Sequence, residues 1–123
     1  MTLNGKELAA VLKAGHAMVQ ADGKVEESEL KVLFGELANF GVPAEQAQLM
    51  MVAADAMEAS EMFETLTNLS TEAKKYVAGY LAAIMISDND IDDSEVNMWK
   101  LICMLSKFPT MNLNEALTFW RNN

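Results

Sequence analysis

Two runs of oxygen-bearing side chains recur in this chain at one spacing. Ala21-Asp22-Gly23-Lys24-Val25-Glu26-Glu27-Ser28-Glu29-Leu30 is followed, 66 positions later (88 − 22), by Ser87-Asp88-Asn89-Asp90-Ile91-Asp92-Asp93-Ser94-Glu95-Val96. Acids, a turn residue, a β-branched residue and a closing Glu match in order, and only Lys24 against Asp90 changes residue type. Such self-similarity in a short chain reads as an internal duplication. Carboxylates gathered in a polar turn are the donors that hard divalent cations take several at a time. Asp22, Glu29, Asp88 and Glu95 are the core candidate ligands, with Asp90 and Asp92 beside them, and Ca²⁺, Mg²⁺ or Mn²⁺ is the expected ion. The second run is denser in acids, and Lys24 should weaken the first.

A metal-free reading accounts for the same residues. Asp22 and Asp88 can close Asx turns, accepting backbone N–H bonds from residues just ahead, with Gly23 and Asn89 suited to the bend. Glu29 and Glu95 stand three residues after Glu26 and Asp92, where a capping-box Glu reaches back to the start of a helix, and a negative charge in a first turn suits the helix dipole. Both readings stay open on the residues alone.

The elements that must position these turns are helical throughout. Asn4 with Glu7 has capping-box spacing, and Leu8, Val11, Leu12, Met18 and Val19 follow at helical intervals to Gln20. A second helix is expected from near Glu26, burying Leu30, Leu33, Phe34 and Leu37 and ending before Gly41. Pro43 opens a third, at a first-turn position where its missing N–H costs nothing, reaching to about Glu58. Ser60 to Leu69 forms a shorter helix, and Ser70-Thr71-Glu72 starts a long one carrying Val77, Tyr80, Leu81, Ile84 and Met85. Asp92 with Glu95 gives another capping box, leading into a helix that buries Val96, Trp99, Ile102 and Cys103 until Pro109 stops it. Asn112 caps a last helix striped by Leu113, Ala116, Leu117 and Trp120. The expectation is an all-α, single-domain bundle of about seven helices over residues 1–123, in which each acidic turn joins two helices and the two related hairpins share one core.

The turns echo the second half of an EF-hand loop, but the positions four and two residues before each Asp hold Met18 and Gln20, or Ile84 and Ile86, so an EF-hand is rejected. The pattern Ala21-Asp22-Gly23-x-Val25-x-x-x-Glu29, repeated as Ser87-Asp88-x-x-Ile91-x-x-x-Glu95, resembles the TerB-like domain family, named for a bacterial tellurite-resistance protein. The resemblance spans nearly the whole chain. It implies an all-helical cytoplasmic bacterial protein, a divalent-cation site among the matched acids, and a role in stress response or beside J-domain co-chaperones. Asn89 and Asp90 depart from the usual Gly-rich turn, and tellurite resistance itself is not implied.

Composition narrows the classes further. A formal charge of −9 with nine scattered Lys and Arg disfavours nucleic acid and favours cations or a basic protein partner. No apolar run is long enough to span a bilayer, and the start of the chain lacks a secretory core, so neither membrane insertion nor secretion is expected. No nucleophile with a base, phosphate loop or His-containing metal signature occurs, and acids in polar turns lack the desolvation that general-acid chemistry needs, which points away from an enzyme. His16 reads as a partly buried, hydrogen-bonded side chain, and Cys103, the single cysteine, as a small buried hydrophobe. The ten Met residues mostly fill the core, while a Met-lined groove near Met50 to Met62 supports an alternative function, a metal-independent protein-interaction module.

Overall fold

The computed structural model describes residues 3–21, 23, 27–87 and 91–123. Among them are seven helices and no strand: α1 (Gly5–Gln20), α2 (Glu27–Asn39), α3 (Ala44–Ala56), α4 (Ala59–Thr67), α5 (Thr71–Ile86), α6 (Asp93–Leu105) and α7 (Leu113–Asn122). The fold is all-α, as the periodicity of the apolar residues requires.

Two 16-residue helices form the centre. On α1, Leu8, Val11, Leu12, Met18 and Val19 are buried as expected, joined by Ala9, Ala10 and Ala14. Helix α5 goes further, being buried without interruption from Tyr76 to Met85, which is the pattern of a core helix rather than an amphipathic surface one. Its small residues Ala78, Gly79, Ala82 and Ala83 let neighbours come close. A Cβ on Gly79 would lie 2.3 Å from the Ala116 carbonyl oxygen and 2.4 Å from Trp120 Cβ, so α7 packs on α5 at van der Waals distance. Gly15 serves the same purpose between α1, α2 and α5, where a Cβ would meet Leu33 Cδ1 at 2.6 Å. Trp99 joins α6 to α5 by donating from Nε1 to the Ala78 carbonyl at 2.9 Å.

The helices keep the 66-residue offset of the acidic turns. The bounds of α5 follow those of α1 by 66 (71 − 5 and 86 − 20), and those of α6 follow α2 likewise (93 − 27 and 105 − 39). The way they end is also shared. The Gly41 amide donates to Ala38 O and the Val42 amide to Leu37 O, the paired bonds of a Schellman turn. The Lys107 amide donates to Met104 O and the Phe108 amide to Cys103 O, the same bonds 66 residues on. A proline follows each turn, Pro43 and Pro109.

Several local expectations are corrected. Pro43 is the N-cap of α3, outside its first turn, with ψ of 151°. Phe34 is 39% exposed, because the buried face of α2 runs through Leu33, Glu36 and Leu37 instead. The helix after the second acidic turn starts without the expected capping box between Asp92 and Glu95. The Asp92 carboxylate accepts from the Ser94 amide at 2.7 Å, and the Glu95 amide donates to the Asp92 backbone carbonyl.

Candidate functional sites at the acidic turns and beneath Tyr76

Each acidic turn begins where a core helix runs out. The Ala21 amide still donates to Met18 O and the Ser87 amide to Ile84 O, both at 3.3 Å, and Ser87 Oγ adds a bond to Ile84 O at 2.8 Å. Gly23 then adopts φ of +78°, a conformation open to glycine at little steric cost, while its amide reaches back to Gln20 O. Asp22, Asp88 and Asp90 lie outside the described residues, so the candidate ligands that can be placed are Glu29, Asp92 and Glu95. Among the described residues no three His, Cys, Asp or Glu side chains converge as a metal-binding group.

Glu29 and Glu95 lie deeper than the acids that cap other helices of the fold. Each is the third residue of its helix, and each is only 1% exposed. Glu7 and Glu115 occupy the same third position of α1 and α7, complete capping boxes with Asn4 and Asn112, and remain outside the core. The closing Glu of both acidic runs is therefore sealed into the protein, where a carboxylate is costly unless other groups stabilise it.

A third buried acid lies outside the acidic runs. Glu36, on α2, is 4% exposed and accepts a hydrogen bond from the Tyr76 hydroxyl of α5. Burial chiefly, then that hydrogen bond and the nearby charge of Glu36, hold the Tyr76 hydroxyl far above its ordinary pKa of 10, while the Trp120 indole beside it pulls in the opposite direction. Tyr80, one turn further along α5, donates to Leu33 O at 2.9 Å, and burial followed by the charge of Glu36 raises its pKa as well. One signal was legible. Glu36 lies between Leu33 and Leu37 in the apolar register of α2, and the position 66 residues on is Ile102, also buried.

Above Tyr76 opens a cleft of about 470 Å³ lined by Asn39, Phe40, Tyr76, Trp120, Arg121 and Asn123. Phe40 meets Tyr76 edge-on, with ring centroids 5.9 Å apart at 79°. On another face, α1, α3, α4 and α6 enclose a groove of about 460 Å³ with Met62, Phe63 and Met98 in its wall and His16 facing Asp55 at 3.6 Å on its rim. Met62 is otherwise core, and His16 is partly buried as expected. Cys103 is half-buried, and burial pushes its thiol up to about 12. No helix among the described residues is long and apolar enough to cross a membrane.

No family model matches the chain, and no curated protein matches it. Among solved structures, the crystal structure of a protein of unknown function from Porphyromonas gingivalis is 42% identical to this chain. It superposes with a TM-score of 0.87, and the match covers 100% of this chain and 99% of that one.

Proposed function

This chain belongs to the same family as the Porphyromonas gingivalis protein of unknown function, and from that premise we propose that it is a non-enzymatic, acidic helical domain that binds a divalent cation at its two acidic turns. The observation that carries this reading is the burial of Glu29 and Glu95 at one register of two helix pairs, where the equivalent Glu7 and Glu115 cap their helices without being buried. The fold does not need a sealed acid to start a helix. A cation drawing on the turn carboxylates Asp22, Asp88, Asp90 and Asp92 together with Glu29 and Glu95 gives those acids a common purpose. The donor set is all oxygen, which suits Ca²⁺, Mg²⁺ or Mn²⁺ and not a thiolate-loving metal. The shared offset of helices, Schellman turns and prolines supports a duplication as the origin of the paired sites. Cytoplasmic stress response is the setting that the TerB-like resemblance implies.

Titration calorimetry of chelator-stripped protein with each ion in turn, repeated on Asp88→Ala and on the Glu29→Gln/Glu95→Gln double variant, tests this. Saturable heat is expected for the native chain and not for the variants. An ion at a hundred times its dissociation constant should stabilise the fold by about 2.7 kcal/mol. No heat with any ion, together with a melting temperature indifferent to chelator, would sink the proposal.

A second reading is supported by the Met-lined groove. Met62, Phe63 and Met98 offer adaptable apolar contacts, and nearby α3 exposes Leu49 and Val52. A metal-independent domain that takes a partner helix there would keep its partner in chelator, whereas the cation reading predicts a loss of stability.

A further inference from the structure

We propose that the cleft between the end of α2, α5 and the end of α7 binds a small zwitterion, its alkylammonium group set among Phe40, Tyr76 and Trp120, with the buried Glu36 carboxylate behind the Tyr76 hydroxyl, and its anionic end met by Arg121. The proposal is independent of the cation reading of the acidic turns, with which it shares no residue.

The starting point is the misplaced acid. At the matching register of the other helix pair stands Ile102, 1% exposed, so that place in a helix of this kind accepts an apolar residue. Glu36 instead brings a carboxylate into the core, where Tyr76 donates to it and Tyr80 donates to the carbonyl of Leu33, on the same helix as Glu36. The counterparts of the two tyrosines at the same offset are Ala10 and Ala14. The acid and the two phenols therefore form a set across α2 and α5 that the equivalent positions of α6 and α1 do not repeat.

Of that set Tyr76 also lines a cleft, while Glu36 and Tyr80 stay buried behind it. The Tyr76 proton points to Glu36, which couples a phenol of the cleft wall to a buried negative charge that water does not screen. Phe40 and Trp120 stand beside Tyr76, and aromatic faces around a negative centre are the surroundings that attract quaternary ammonium groups. Arg121 is exposed on α7 and lines the same cleft, so a bare cation would meet repulsion there and a carboxylate would meet a partner. Asn123 contributes an acceptor, its side-chain nitrogen being tied to Phe119 O at 2.8 Å. The volume suits a small molecule.

The test compares glycine betaine with 3,3-dimethylbutanoate, its isostere in which carbon replaces the charged nitrogen, by titration calorimetry and by Trp120 fluorescence on the whole chain. Saturable binding of betaine, about tenfold or more tighter than the isostere, is expected. Glu36→Gln, which retains an acceptor for Tyr76, should remove most of that preference. Arg121→Gln should weaken betaine more than it weakens choline, which lacks the carboxylate. Phosphatidylcholine vesicles separate sources: sedimentation of the protein with vesicles that free choline reverses assigns a lipid headgroup as the supplier of the ammonium group. Equal binding of betaine and its isostere, or no saturable binding of betaine, choline or vesicles to the native chain, overturns the proposal without recourse to any variant.

Discussion

Gly41 and Lys107, 66 residues apart, close their helices in the same left-handed turn, with φ of 80° and 56°. Both amides make the inner bond of a Schellman turn, and both are followed by an apolar residue and a proline. Glycine adopts this conformation without a Cβ penalty, whereas lysine does not. Lys107→Gly should accordingly stabilise the protein by about 1 kcal/mol, and Gly41→Ala should destabilise it by a similar amount. Urea unfolding of the two variants checks the opposite signs. A loss of stability in Lys107→Gly would mean that the turn is held by something other than its backbone.

Removing the Tyr76 hydroxyl should cost more than removing that of Tyr80. Tyr76 donates to a buried carboxylate, so Tyr76→Phe is expected to cost about 2 kcal/mol, while Tyr80→Phe loses a bond to a helix carbonyl worth about 1 kcal/mol. The pH dependence has a defined sign. Because the folded-state pKa of Tyr76 lies above its ordinary value of 10, its contribution is complete below pH 10 and declines as pH rises beyond it. Native protein should lose stability above pH 10 more steeply than Tyr76→Phe in thermal melts buffered across that interval.

Gly79 sets the approach of α7 to α5. Gly79→Ala would place a methyl group against the Ala116 carbonyl at 2.3 Å, a backbone atom that cannot rotate aside, and should destabilise by roughly 1 to 3 kcal/mol. Because Trp120 lies at the same contact, its emission should change with the substitution. A variant that melts at the native temperature with unchanged fluorescence would contradict this packing.

Cys103 should react slowly. With its thiol pushed by burial from 9.0 to about 12, very little thiolate exists at pH 9, and alkylation by iodoacetamide should be at least about tenfold slower than in urea-unfolded chain. The rate should still be climbing between pH 9 and pH 11. A rate half-maximal near pH 9 that levels off by about pH 10 would show a thiol in contact with water.

Most of the helical framework was legible in the sequence, because caps and periodic apolar residues are local signals. Asn4 with Glu7, Ser70, and Asn112 with Glu115 or its neighbours mark helix starts by side chains that reach only a few residues, and the observed bonds follow them. Gly41 marks an ending in the same local way. The acidic runs and their spacing were also legible, as was the register at which Glu36 interrupts an apolar stripe. Depth was not. Glu29 and Glu95 have the same helix position as Glu7 and Glu115, and only the neighbours packed over them make one pair core and leave the other outside it. Likewise, Tyr76 and Glu36 are 40 residues apart, and only the crossing of α2 over α5 joins them. Phe34 is left part-exposed for the same reason, since the side of α2 that is covered depends on where α5 lies. Sequence by itself determined where helices begin, end and repeat, since those choices are made between adjacent residues. The tertiary structure decided which acids are desolvated and which aromatic rings meet, because burial and electrostatic coupling are properties of the residues that other helices bring alongside.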